Sequence, residues 1–185
     1  RTNYAQCLNQ LNEIDLAIEQ SKESIKLKQE LEEIKSLGAS YAVLANTYFS
    51  KGDFSLAFET GIKAIAIFRA NNMINFVARA LVLVSDTLMH LGRYKEMRDY
   101  TEQAESILAD FDEPFLIGKL ELMHSHYRLN ENDINAAIDH VDSCIDLFEI
   151  AEQKPFLIDA YVHKMNLFIR QNALSKAKRV MSKID

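Results

Sequence analysis

The apolar positions of this chain recur at helical rather than strand spacing. Tyr41, Leu44 and Tyr48 share one side of a 3.6-residue turn, and Phe54, Ala57, Phe58, Ile62 and Ile65 do the same after a break at Gly52-Asp53. A stripe with that period must be buried against another helix, so the two segments predict an antiparallel pair. The pattern continues along the chain and predicts helices over 2–10, 13–35, 38–50, 54–70, 75–91, 94–110, 115–129, 133–152, 156–171 and 173–184. Pro114 and Pro155 stand at helix entries, where a missing backbone donor costs little.

One break returns every 40 residues, as Asn12-Glu13-Ile14, Gly52-Asp53-Phe54, Gly92-Arg93-Tyr94, Asn132-Asp133-Ile134 and Asn172-Ala173-Leu174. Gly and Asn are the residues that most readily take the left-handed conformation closing a helix. Five positions on come Ala17, Ala57, Met97, Ala137 and Ala177, small in all but the third copy, as close helix packing requires. Each copy therefore reads helix, tight turn, helix, with the second helix expected to be lengthened by about two turns. A strict 40-residue register places Glu121, His124 and Arg128 where other copies carry Leu, Val or aromatic residues. The spacing from Pro114-Phe115 to Pro155-Phe156 is 41, which favours a one-residue slip in the fourth copy. The slip predicts Leu120, Met123 and Tyr127 buried, with Glu121, Ser125 and Arg128 in the open.

Tyr41, Leu44, Ala45, Tyr48, Gly52, Asp53, Phe54, Ala57 and Ala64 follow the spacing of the tetratricopeptide-repeat signature, and the third copy keeps Leu81, Val84, Leu88, Gly92, Tyr94 and Ala104. On these residues the chain resembles the tetratricopeptide-repeat family over nearly its whole length, with a period longer than the usual ~34 residues. HEAT-type arrays share the longer period; the Gly-Asp-aromatic turn with Ala behind it favours the tetratricopeptide type. The resemblance implies an all-α fold, a right-handed superhelical α-solenoid of antiparallel helix pairs. Residues 1–185 would form a single array of about five repeats with turns near 12, 52, 92, 132 and 172.

The resemblance also implies a protein or peptide partner held in a concave groove lined by the first helix of each pair. In the slipped register Asn46, Asp86, Ser125 and Asn166 make one row, and Phe49, Met89, Arg128 and Ile169 the next. Ala42, Val82, Glu121 and Val162 make the row before, with Arg79 and Asp159 nearer the entry end. Relatives that grip a C-terminal carboxylate use Lys, Asn and Arg in the groove. Here Asn46 matches but Ala42 stands where the Lys belongs, so a chaperone tail is not the expected ligand. Long-period relatives imply the recognition or regulatory segment of a larger bacterial signalling protein. The alternative is a structural spacer or homodimerisation element with no peptide ligand.

Composition narrows this further. Lys and Arg number 21 against 27 Asp and Glu, a formal net charge of −6, so no basic field exists to attract nucleic acid. Five Gly and two Pro are too few for the turns of an all-β chain. No apolar run reaches the ~18 residues that span a bilayer, and with no targeting pattern in view the expected compartment is the cytoplasm. The chain begins without Met and reads as a piece of something longer. The apolar face Leu174, Ala177, Val180, Met181 and Ile184 is uncapped, which offers self-association through the C-terminal helix. The stretch from Lys22 to Lys35 mixes Lys and Glu around Ile25, Leu27, Leu31 and Ile34, as in a packed amphipathic helix rather than a membrane-surface one. Cys7 and Cys144 read as free, space-filling thiols.

Candidate chemistry is sparse. The chain holds no Gly-rich phosphate loop, paired zinc-ligand motif or nucleophile elbow, so no enzyme and no cofactor is expected. His124 and His126 point in different directions on a helix, while Asp86 and His90 share a face but need a third ligand to hold a metal. Arg79 and Arg128 balance Asp86, Glu121 and Asp159 in the groove rows, which predicts binding with little dependence on salt.

Overall fold

A computed structural model describes residues 1–184. Its architecture follows from backbone with positive φ at Asn12, Glu32, Gly52, Asn72, Gly92, Asn132, Glu152 and Asn172, positions that step by 20 residues with one gap. After each, the next amide reaches back five residues: Glu13 to the Leu8 carbonyl, Glu33 to Lys28, Asp53 to Tyr48, Met73 to Phe68, and so to Ala173 on Phe168, all at 2.9–3.0 Å. This closure satisfies carbonyls that the helix end would otherwise leave without partners.

The turns cut the chain into α1 (Thr2–Gln10), α2 (Ile14–Glu30), α3 (Ile34–Lys51), α4 (Phe54–Ala70), α5 (Ile74–His90), α6 (Tyr94–Leu108), α7 (Pro114–Asn130), α8 (Ile134–Ile150), α9 (Lys154–Arg170) and α10 (Leu174–Met181). Helices α2, α4, α5, α7, α8 and α9 are each 17 residues long, and after the short α1 no second helix of a pair is longer than its first. The expected helix over 13–35 stops at Glu30 because Glu32 takes the left-handed turn. Glu carries a penalty of about 1–2 kcal/mol there that Gly escapes, so nothing in its side chain announces the break.

The described chain forms two compact units, Arg1–Ile107 and a second beginning at Leu108. In the first, each helix from α1 to α5 packs on the one before it; in the second, α7 to α10 do the same. The recurring small residues Ala17, Ala57, Ala137 and Ala177 are buried, and so is Met97.

Helices of a pair meet where a side chain has no room. A Cβ on Gly38 would lie 2.8 Å from the Phe68 ring, and one on Gly118 would lie 2.8 Å from the Phe148 ring. Both partners are displaced by 80 residues, two full repeats, so the strict register holds and the expected slip in the fourth copy is wrong. Pro114 is simply the first residue of α7 and Pro155 the second of α9. The polar residues that suggested a slip find polar partners instead. Glu121 takes a 2.7 Å contact from His140 Nδ1, His124 stacks on His140 at 5.2 Å, and Arg128 pairs with Glu131 at 3.1 Å. Leu120 and Met123 are buried as expected and Tyr127 is half-buried, but Ser125 is buried as well.

In the first unit a polar clasp joins three helices. The hydroxyls of Thr2, Ser24 and Ser40 lie 3.0 Å from one another. Lys28 Nζ donates to Thr2 Oγ1 at 2.7 Å, to Ser40 Oγ at 2.8 Å and to the Ser36 carbonyl at 2.8 Å. Burial lowers the Lys28 pKa, with the Glu33 charge partly opposing it. Cys7 is exposed rather than space-filling, because α1 leaves that side uncovered. Cys144 is buried, and burial with the Glu121 charge pushes its thiol up to about 12, leaving it unreactive.

Gly118→Val should therefore cost about 1–3 kcal/mol by overpacking against Phe148, and Leu120→Ala about 2–5 kcal/mol by leaving a cavity. Shifts in the urea unfolding midpoint at constant slope check both; a Gly118→Val change near zero contradicts the strict register.

Candidate functional site

The surface expected to take a ligand lies on the first helices of the pairs, α3 and α5 in one unit and α7 and α9 in the other. In the first unit Asn46 is exposed on α3, one turn before half-buried Phe49. Phe49 meets Phe54 edge-on at 5.5 Å and His90 at 5.2 Å, while His90 lies flat on Phe54 at 4.6 Å. Arg79 is exposed and Met89 half-buried on α5. Val82 and Asp86, expected in the groove, are instead buried at 2% and 7% exposure. The reason lies in α5 itself, which is apolar on most sides through Val77, Ala78, Leu81, Val84 and Leu88 and so is covered on most sides. Asp86 keeps a carboxylate oxygen 3.7 Å from His90 Nε2.

In the second unit Asp159, Val162, Asn166 and Ile169 are exposed along α9, opposite its buried Ala160, Tyr161, Leu167 and Phe168. The strict register aligns them with Lys119, Leu122, His126 and Leu129 of α7, not with Glu121, Ser125 and Arg128. Leu122, His126 and Leu129 are half-buried. Glu121 turns to α8 through His140, and Arg128 is exposed beside Glu131. Ser125 has 0% exposure. Its hydroxyl donates to the Ala137 carbonyl at 2.6 Å and lies 2.9 Å from His163 Nε2. With the serine proton committed to Ala137, His163 Nε2–H is the donor in that second bond.

The His126 ring stacks on His163 at 3.9 Å and 27°, linking α7 to α9. Burial, then the neighbouring His126 and Arg170, pull the His163 pKa down to about 3, so the ring is neutral near pH 7. The slip kept Lys119, Leu122, His126 and Leu129 of α7 out of the expected rows, while His163 on α9 stands beside the row positions Val162 and Asn166 and not on one. The signal was present in the row Asn46, Asp86, His126 and Asn166 at 40-residue steps.

Chemically the two faces offer amides, exposed apolar side chains and scattered charges. Among the described residues no group of three or more His, Cys, Asp or Glu could hold a metal ion. None of the described helices is long and apolar enough to cross a membrane.

No protein-family model matches the chain, and a search of curated proteins found no match. Solved structures do resemble it. A Podosopora anserina protein described as a kinesin light chain with nearly identical TPR-like repeats superposes with a TM-score of 0.73 at 13% identity, over 99% of this chain and 90% of that one. YrrB, a TPR protein with an unusual peptide-binding site, gives 0.56 at 18% identity, over 98% and 81%. The chain has the tetratricopeptide-repeat fold. Rap protein complexed with Competence and Sporulation Factor shares this tetratricopeptide-like arrangement, with a TM-score of 0.72 at 19% identity over 96% of this chain. The chain spans about half of Rap, 48% of its length.

The burial of Ser125 is directly testable. Ser125→Val leaves His163 Nε2–H without a partner and takes from the Ala137 carbonyl the bond it accepts beside its helical one, and should cost about 1–3 kcal/mol. Arg128→Ala should stay within about 0.5 kcal/mol, as for ordinary surface positions. Urea unfolding of the two variants side by side distinguishes them, and equal losses contradict the placement.

Proposed function

We propose that this chain is a scaffold that binds a protein or peptide along the first-helix faces of its repeats. The observation that carries the reading is the exposed row on α9, where Val162 and Ile169 stand 38% and 46% exposed on either side of Asn166. Large apolar side chains left open beside an amide suit a ligand that brings apolar side chains and unpaired backbone groups. Asn46 beside Phe49 repeats the combination in the first unit. Asn46, Phe49, Arg79 and Met89 contact the ligand there; Lys119, Leu122, His126, Asp159, Val162, Asn166 and Ile169 do so in the second unit. Val82, Asp86, Glu121 and Ser125 support the faces from behind, and Arg128 flanks them.

Rap and YrrB support the reading, since one was solved with a bound factor and the other has a peptide-binding site. On this reading residues 1–185 work as one array of about five repeats in the cytoplasm, as the recognition segment of a longer regulatory protein, without catalysis. A second reading is self-association, favoured by Leu174 and Met181, exposed at 61% and 54% on α10. Light scattering over a range of concentrations separates it, because a constant monomer mass removes it.

A displayed random-peptide library panned on the chain tests the scaffold. Selected peptides should bind with micromolar Kd, roughly −8 kcal/mol. Val162→Glu and Ile169→Glu together should weaken them at least tenfold, about 1.4 kcal/mol. Peptides enriched equally on the double variant would sink the assignment of this face.

A further inference from the structure

Four of the five histidines of the chain lie in the second unit, in two stacked pairs, His124 on His140 and His126 on His163. The pairs differ in one respect. His140 Nδ1 lies 2.7 Å from Glu121 Oε2, so a proton arriving there gains a carboxylate. Among the described residues no carboxylate is seen on His163. Its Nε2–H is committed to Ser125, which leaves Nδ1 as the atom that would take a proton.

Burial and the neighbouring His126 and Arg170 oppose that proton. From α7 it meets the His126 ring and the Ser125 hydroxyl, and from its own helix it feels Arg170. From α8 the route through Ser125 ends on the Ala137 carbonyl, while two of the α8 carboxylates pair elsewhere, Asp142 with Lys164 and Glu149 with Tyr161. From α10 the ring contacts made to α9 are cationic, Lys176 over Phe168 and Lys183 over Tyr161. The stack joins the two helices that carry Val162, Asn166 and Ile169 on one side and Leu122 and His126 on the other.

We propose that the His126–His163 stack is a proton-sensitive latch: mild acidification weakens the hold of α9 on α7 and loosens the ligand face of the second unit. Its functional meaning rests on the scaffold reading, but the latch itself does not. A histidine freed from the structure takes its proton near pH 6.5, whereas burial holds His163 unprotonated down to about 3. A lowered folded-state pKa gives stability that is complete above the free value and is lost as pH falls towards the folded one. Within that window each pH unit multiplies the ratio of released to docked α9 by about ten.

Amide hydrogen exchange on the whole chain, corrected for intrinsic rates, reads this without any partner. Protection across Ala160–Phe168 should fall about fifteenfold between pH 6.5 and 5, while protection in α4 stays level. His163→Phe should abolish the fall and His140→Gln should keep it. If His163→Phe does not fold, the wild-type His163 ring resonance decides: no titration above pH 5 supports the latch, and a midpoint near 6 overturns it. Constant α9 protection from pH 7 to 5 also overturns it while leaving the scaffold reading standing. A working latch in a chain that selects no peptides would instead sink the scaffold reading alone.

Discussion

The structure depends on one local interaction, the closure of a helix by a left-handed residue whose successor's amide reaches back five residues. It recurs from Glu13 on Leu8 to Ala173 on Phe168 and sets the length of nearly every helix. Since consecutive helices are cut at almost the same length, each can lie along the next for its full extent. Apolar burial then accumulates from pair to pair, as it must in a repeat fold whose single units cannot bury their own faces.

Equal helices still need a contact that fixes their register. That comes from the absence of a Cβ at Gly38 and Gly118, which lets the Phe68 and Phe148 rings lie against the partner backbone. Once this contact is made, polar residues at the same interface cannot move off it and must be satisfied in place. Glu121 is met by His140 and Ser125 by the Ala137 carbonyl and His163. The Lys28 clasp obeys the same rule in the first unit, where three hydroxyls and a carbonyl surround a cation that burial has made harder to charge. Buried polar groups in this fold are tolerated because each repeat brings its own partners.

The register that organises the core also organises the surface. The row Asn46, Asp86, His126 and Asn166 comes from one position of the repeat, yet its members meet different fates. Asn46 and Asn166 stay exposed, Asp86 is covered, and His126 is drawn into a stack with His163. A periodic scaffold thus offers chemically distinct faces without a change in backbone, and the histidine stack couples one of them to proton concentration.

Much of this was legible in the amino-acid sequence alone. The 3.6-residue apolar period, the Gly and Asn turns at 40-residue steps and the small residues behind them are local signals, so they determine the all-helical repeat and most of its elements. The turn at Glu32, inside the helix expected over 13–35, was not legible, because its left-handed backbone goes against the preference of the residue that carries it. Only the tertiary structure decided the register of the fourth repeat, since Glu121, His124 and Arg128 look misplaced until His140 and Glu131 are brought beside them. Exposure in the groove was decided there too. Asp86 and Ser125 are polar by sequence and buried in the fold, because solvent access depends on which helices cover a position, and a chain read one residue at a time carries no record of that.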